Sequence, residues 1–197
     1  ITGSDAGSDG SVNVWTLDLG NQTWTELSNM SSSSLSAGQG FLTYVFQDID
    51  FDGDSDLPIT LSVDGSSTTG DVTIGSIPSG DYYLAGNPYP HTIDWDLMTK
   101  TNLSSSASVW NDATSTWKTW NGSTGDLTNG LIAPYQGFWV QANGGTGSFT
   151  IQDADVSTTA GSFLGRTSEN DSLHTARFDI SMGEMTSSTY FSFTTNG

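Results

Sequence analysis

The chain has 197 residues with 22 acidic and four basic side chains, a formal net charge of −18, and no cysteine. A nucleic-acid partner needs a basic stripe to neutralise phosphates and an anionic membrane surface needs the same, so both are excluded, as are disulfides, thiolate metal sites and a cysteine nucleophile. At 34% hydrophobic and 11% aromatic residues the chain can bury a core, and no apolar run approaches the roughly 18 residues of a membrane span.

Helix formers are scarce, while Ser, Thr, Gly, Asn and Asp abound, which predicts strands joined by turns. Residues 1–11 read as a Gly/Ser/Asp loop. Val12 to Leu19 alternates as a half-buried strand, Gly20-Asn21 supplies a turn, and Gln22 to Leu27 is the return strand of a hairpin. Gly40 to Gln47 is apolar enough to be a core strand, followed by strands over Leu57 to Val63 and Asp71 to Ile77. Tyr82 to Gly86 is a short strand running into Asn87-Pro88-Tyr89-Pro90, where two prolines forbid regular ladder pairing. Asp94 to Met98 is the one predicted helical turn, capped by Asp94. Ala107 to Trp110 with Thr116 to Trp120 forms a second hairpin, and strands follow over Gly137 to Ala142 and Gly147 to Gln152. Val156 to Ser172 reads as a linker, and His174 to Ser181 with Thr189 to Thr194 as a closing hairpin.

The chain also reads as a diverged duplication. Val14-Trp15, Thr23-Trp24 and Gly38-Gln39-Gly40-Phe41 recur in order as Val109-Trp110, Thr116-Trp117 and Tyr135-Gln136-Gly137-Phe138, with Trp110 following Trp15 by 95 residues and Phe138 following Phe41 by 97. The expected fold is all-β: two tandem, duplicated antiparallel β-sandwich-like units plus a C-terminal hairpin. The predicted divisions are a first repeat over 1–78, a second over 79–155, a linker over 156–172 and a further unit or added hairpin over 173–197. Trp15 should then match Trp110, and Phe41 should match Phe138. The opening of the first copy would lie upstream of Ile1, leaving a sheet edge to be filled by more of the same polypeptide or, less favoured, by a neighbouring subunit.

LSAGQGFLTYV, LPITLSVDG, YYLAGNPYPHTIDW, VWNDATSTWKTW and IAPYQGFWVQANGG together resemble the β-rich region of large secreted surface proteins of Bacteroidetes-type bacteria exported by the type IX secretion system. The resemblance spans most of Val12 to Gln152. It implies an extracellular β-sandwich architecture and no defined reaction. Asp171-Ser172-Leu173 fits the short O-glycosylation pattern of the same group, making Ser172 a glycosylation candidate.

Three constellations carry possible chemistry. Asp48, Asp50, Asp52, Asp54 and Asp56 surround Gly53 as in the start of a calcium loop, since alternating carboxylates about a Gly bend can converge on one hard cation. Ile59 stands where an EF-hand needs its bidentate acid, so a true EF-hand is excluded, and a solvated acidic turn is the competing reading. Among the aromatics, Trp15, Trp24, Trp110 and Trp117 recur at repeat positions and read as core or hairpin packing. Trp95, Trp120, Tyr135 and Trp139 are left as candidates for stacking on sugars. Asp94 and Asp96 flank Trp95 like a glycosidase pair, but His91 and His174 sit in no metal-ligand spacing and no G-x-S-x-G elbow exists, so an enzyme is not expected. Two functions follow: a structural or adhesive surface module, whose partners are neighbouring domains or other copies, or a carbohydrate-binding module of a secreted enzyme or adhesin. A row of coplanar exposed aromatics would mark the second.

Overall fold

The computed structural model describes residues 12–27, 33–46, 48, 52–55 and 67–164, together with the backbone of His174–Met182 and Met185–Phe193. The fold is all-β and antiparallel. Its strands are β1 (Val14–Asp18), β2 (Thr23–Glu26), β3 (Leu42–Thr43), β4 (Val72–Ile77), β5 (Tyr82–Gly86), β6 (Ile93–Asp94), β7 (Thr99–Thr101), β8 (Ala107–Asn111), β9 (Thr116–Trp120), β10 (Leu131–Ile132), β11 (Gly137–Gln141), β12 (Gly147–Ile151), β13 (His174–Met182) and β14 (Met185–Phe193). They form sheets of order β5-β11-β8-β9, β4-β12-β7 and β2-β1-β3, with short pairs β10-β6 and β13-β14.

The first two sheets face each other across the core. Alternation along β11 sends Phe138 and Val140 inward and Trp139 outward, while β12 sends Phe149 and Ile151 inward. Phe138 and Phe149 meet edge-to-face at 6.2 Å between the layers, and Trp95 adds its edge to Phe138 at 6.3 Å. Ile74 and Ile77 from β4, Ala85 from β5 and Ala107 and Val109 from β8 complete the cluster. Burying aromatic area of this kind is worth about 3–5 kcal/mol per ring by truncation, so these few side chains dominate cohesion.

The four-stranded sheet is covered along its β5 edge and capped at Thr119 on its β9 edge. Along β5, Gly40 N–H donates to Leu84 O, Gly86 N–H donates to Gly38 O, and Gln39 bridges to Ala85. A Cβ on Gly40 would lie 2.6 Å from Ala85 O, so only glycine permits that approach. Along β9, Asp126 and Leu127 N–H groups donate to Thr119 O, and the Asp126 carboxylate accepts Thr119 N–H at 2.8 Å. These ladder groups are thereby withdrawn from pairing with another strand.

The Asn87-Pro88-Tyr89-Pro90 turn is the knot that joins these layers. Asn87 is buried; its amide donates to His91 O at 2.8 Å, Ala133 O at 2.9 Å and Ile132 O at 3.3 Å, and its oxygen accepts Tyr89 N–H at 3.0 Å. The buried Tyr89 hydroxyl donates to the carbonyls of Gly70 and Ile151, at 2.6 and 3.1 Å, one of which takes the proton at a time. Gln136 O accepts Asn87 N–H at 3.0 Å, and the Gln136 side chain accepts Leu164 N–H at 2.7 Å.

Several sequence expectations are corrected. Asp94 to Met98 forms a single turn that does not continue as a helix: Asp94 caps it as expected, its Oδ1 accepting Asp96 N–H at 2.9 Å and its carbonyl accepting Leu97 N–H at 3.2 Å, and the chain then enters β7. The core strand expected over Gly40 to Gln47 shrinks to Leu42–Thr43, with Phe41, Leu42 and Tyr44 exposed, because Gly40 is held on β5 and the chain then leaves to pair with β1. The strand expected over Leu57 to Val63 lies outside the described residues. The boundary drawn at 78 falls between β4 and β5, and β4 shares a sheet with β12. Part of the stretch read as linker is tied down, with Val156 bridged to Ile93 and Gly161 N–H donating to Thr92 Oγ1 at 2.9 Å.

The repeat shows in the pairing. The hairpins β1-β2 and β8-β9 each enclose four residues and each ends its loop in a left-handed residue, Gln22 at φ 52 and Ser115 at φ 49. This aligns Asp18 with Asn111 and Trp24 with Trp117. The third strand then agrees: Trp15 pairs with Leu42 as Ser108 pairs with Trp139. Trp15 therefore corresponds to Ser108, not Trp110, a shift of two residues from the alignment that matched tryptophan to tryptophan. Phe41 and Phe138 do precede matching positions, although Phe138 is buried and Phe41 exposed.

Replacing Asn87 by Asp keeps the shape and the Tyr89 acceptor but removes the donors. Each buried carbonyl left unpaired costs about 1–3 kcal/mol; Ala133 O keeps the Gln136 N–H, so losing the donors to His91 O and Ile132 O is expected to cost Asn87→Asp at least roughly 2 kcal/mol in urea denaturation. A loss below about 1 kcal/mol, the worth of one ordinary hydrogen bond, would show that the knot is not structural.

Candidate functional site: an exposed aromatic strip

The outer face of the four-stranded sheet carries what its inner face hides. Pairing puts Tyr82 beside Gln141, Leu84 beside Trp139, Trp139 beside Ser108, Ser108 beside Thr119 and Trp110 beside Trp117. Trp110 and Trp117 are a cross-strand pair at 5.1 Å, and Trp117 meets Trp139 at 6.3 Å. Trp139 also meets Tyr82 at 6.5 Å and Trp24 of β2 at 5.9 Å. Trp24, Tyr82, Trp110 and Trp117 are 43%, 49%, 39% and 50% exposed, and Trp139 is half-buried among them.

Trp24 reaches this face because its hairpin is pinned. Gln22 Oε1 accepts Tyr82 N–H at 2.9 Å, and Gln22 Nε2 donates to Tyr82 O at 3.1 Å. The side-chain amide thus imitates one rung of a β-ladder and fixes the turn against the start of β5. The left-handed backbone at Gln22 belongs to the four-residue loop, since Ser115 shares it at the same position of the second hairpin.

The rings meet edge-on. Interplanar angles are 67° for Trp110–Trp117, 86° for Trp117–Trp139, 86° for Trp24–Trp139 and 75° for Tyr82–Trp139. Each such contact is worth about 0.5–1.5 kcal/mol beyond burial, so the strip holds its own geometry. Adjacent rings do not form the coplanar row expected of a flat sugar platform.

Only one of the four stacking candidates joins the strip. Trp139 does. Trp95 is 1% exposed, its Nε1–H donating to Ser105 O at 2.8 Å, and is removed from any surface role. Trp120 points to the inner side, where its Nε1–H is shared by both Asp96 oxygens at 3.1 and 3.0 Å. Gly130 lies under its ring, where a Cβ would be 2.6 Å from Trp120 Cδ1. Tyr135 is exposed with a left-handed backbone, in the turn after Pro134, and makes no ring contact with the strip. Trp24, Trp110 and Trp117, expected in core or hairpin packing, are exposed, and Trp110 with Trp117 shows the hairpin packing. Alternation alone could not assign them, because Thr116 to Trp120 puts one Trp on each face.

The paired carboxylates hold structure: Asp94 closes its turn and Asp96 receives Trp120. His91 stacks on Tyr89 at 5.0 Å and 8°, and the side chain of His174 lies outside the described residues, as does Ser172. In the acidic loop, Asp48 Oδ2 accepts Gly53 N–H at 3.0 Å and Asp52 Oδ1 accepts Asp54 N–H at 3.1 Å, while Asp50 and Asp56 lie outside the described residues. Among the described residues no group of three or more His, Cys, Asp or Glu is gathered as for a metal, and no helix is long and apolar enough to cross a membrane.

The half-buried Lys100 sits 4.4 Å above the Trp95 ring and donates to Trp95 O. Burial pushes its ammonium pKa down, against the pull of Asp96, Asp155 and Asp94. Asp155 is buried at 4% exposure, and burial first, then Asp71 and Asp94, holds its carboxyl above the usual range despite the Gln152 N–H it accepts and the charge of Lys100.

Comparison with protein-family models, with curated proteins and with solved structures returned no match to this chain.

The Asp155 environment gives a pH prediction. A carboxyl whose folded pKa lies above its unfolded value binds more protons when folded, so its contribution to stability falls as pH rises through that window. Asp155→Asn keeps the acceptor oxygen and removes the buried charge. Its Tm should exceed wild type at pH 7, and the difference should vanish once pH drops below the ordinary carboxylate range. An equal loss of Tm at both pH values would contradict this account.

Proposed function

We propose that this chain is a non-catalytic, extracellular structural and adhesive β module, and that the Trp24–Trp139–Trp117–Trp110 strip is its contact face. The observation that carries the reading is the contiguous run of indoles, three of them exposed, over the outer face of the four-stranded sheet. Exposed aromatic patches of this size mark interaction surfaces, and aromatic side chains concentrate binding energy. The acidic surface supports the same reading: with a net charge of −18 the module stays soluble in a saline exterior despite its exposed rings. Asp94, Asp96 and His91 have structural engagements, which fits a scaffold better than a reaction centre. Its partners are neighbouring domains, other copies, or glycans.

On the same reading the Asp48–Asp56 loop takes calcium, supported by the way Asp48 curls back onto Gly53. A rise in Tm with calcium that EDTA reverses is the expected result; an unchanged Tm leaves a charged turn.

The contact face is tested with beads bearing the wild-type chain or a Trp24→Ala/Trp117→Ala variant, passed over neutral polysaccharide gel, polylysine and a layer of the chain itself. Both substituted side chains are at least two-fifths exposed, so the variant should stay folded by circular dichroism. Wild-type beads should be retained severalfold better on at least one surface. Equal retention on every surface would remove the strip from adhesion.

A further inference from the structure

We infer that the occupant of the aromatic strip is an extended, uncharged polysaccharide chain. The inference rests on the strip being the adhesive face and names its ligand class.

Three observations lead there. The first is electrostatic. The net charge of −18 repels phosphorylated, sulfated or uronic polymers and a second copy of the chain. The two lysines are occupied elsewhere, Lys100 over Trp95 and Lys118 in a 3.3 Å pair with Asp126 beyond the β9 edge. Nothing described on the strip therefore offers an anion a partner.

The second is the chemistry between the rings. The strip is interrupted by hydroxyls: Ser108 and Thr119, bonded to each other at 2.9 Å, lie across β8 and β9 beside Trp139 and Trp117. That bond uses one proton and one lone-pair site, so the pair keeps a proton and lone pairs for an incoming hydroxyl. No described acceptor takes the Nε1–H of Trp24, Trp117 or Trp139, which leaves three indole donors in the strip. A sugar ring has the matching halves: a face of polarised C–H groups that settles on the negative face of an indole, and a rim of hydroxyls. A purely apolar partner would leave the hydroxyls and indole N–H groups desolvated without partners.

The third is the ring geometry, which sets the size of the ligand. Trp24 and Trp117 stand at 5.9 and 6.3 Å on either side of Trp139, each at 86° to it. Trp24 comes from the β5 side and Trp117 from β9, with Trp139 of β11 between them and no flat platform, so the strip suits several sugars in a chain and not one. A chain of several sugars spanning Trp139 can engage both at once, and the second contact then forms at high effective concentration. Affinity should rise steeply with chain length. A cationic peptide, the other class the charge would attract, has no use for the hydroxyl pair and should not show that dependence on neutral oligomers.

The test is affinity electrophoresis of the whole chain through gels containing hydroxyethylcellulose, mixed-linkage β-glucan, galactomannan or agarose, with alginate and polylysine as charged arms. At least one uncharged polymer should retard the wild-type chain, its long oligomers should compete and its monosaccharide should not. Trp117→Ala and Trp24→Ala should each weaken retardation about tenfold, as expected when one stacking contact is lost. Tyr135→Phe, on an exposed ring outside the strip, serves as a folded control that should leave retardation unchanged. No retardation by any uncharged polymer, or retardation untouched by both alanine variants, overturns the inference. If polylysine alone binds while the bead assay still depends on Trp24 and Trp117, the ligand class is wrong and the adhesive face stands. If neither assay depends on them, both fail.

Discussion

The arrangement depends on one buried amide. Asn87 donates to the carbonyls of His91, Ile132 and Ala133 while its oxygen holds the Tyr89 N–H. A proline-flanked turn has few backbone donors of its own, so it needs a side chain to occupy the carbonyls it meets. Asn supplies two donors and an acceptor in a planar, compact group, and no other side chain of that length does so without charge. Through it, the end of β5 is fastened to the segment that begins β11. Tyr89 then fastens the same turn to Gly70 and Ile151, ahead of β4 and at the end of β12. Both halves of the sandwich are thus referenced to four residues.

What that constraint makes possible is an exposed face of fixed geometry. With β5 and β11 set in register, Trp139 has a defined place, and Trp117 and Trp110 follow from the β8-β9 hairpin beside it. The first hairpin contributes Trp24 only because Gln22 copies a ladder rung onto Tyr82. The strip is therefore assembled from both members of the repeat, and the tryptophan shared at equivalent positions, Trp24 and Trp117, flanks Trp139 on both sides. Duplication here has produced two ring-bearing hairpins that meet at a strand belonging to one of them.

The parts legible in the sequence were those governed by local alternation and turn chemistry. Both hairpins, the strand at Tyr82 to Gly86 and the strands at Gly137 and Gly147 were of this kind. The duplication was legible in outline but not in register, because tryptophan at Trp15 and Trp110 drew the alignment two residues away from the match that the four-residue loops impose. The turn at Asp94 was legible too, because an Asp that bonds its own backbone two residues on caps it. Phe41 and Leu42 read as core because they are apolar, yet burial depends on a covering layer that composition does not reveal. The site was the least legible part. Trp95 and Trp139 are equally hydrophobic, yet the turn after β6 carries one into the core while β11 sets the other on the outer face, a difference that only tertiary packing decides.

The most direct test of an ordered, displayed strip is the indole N–H region of an NMR spectrum, with a soluble paramagnetic agent added. The chain has seven tryptophans. The signals of Trp24, Trp110 and Trp117 should broaden first, those of Trp95 and Trp120 should persist, and Trp24 should show a through-space contact to Trp139. Uniform protection of the indoles, or the absence of the Trp24–Trp139 contact, would contradict the account.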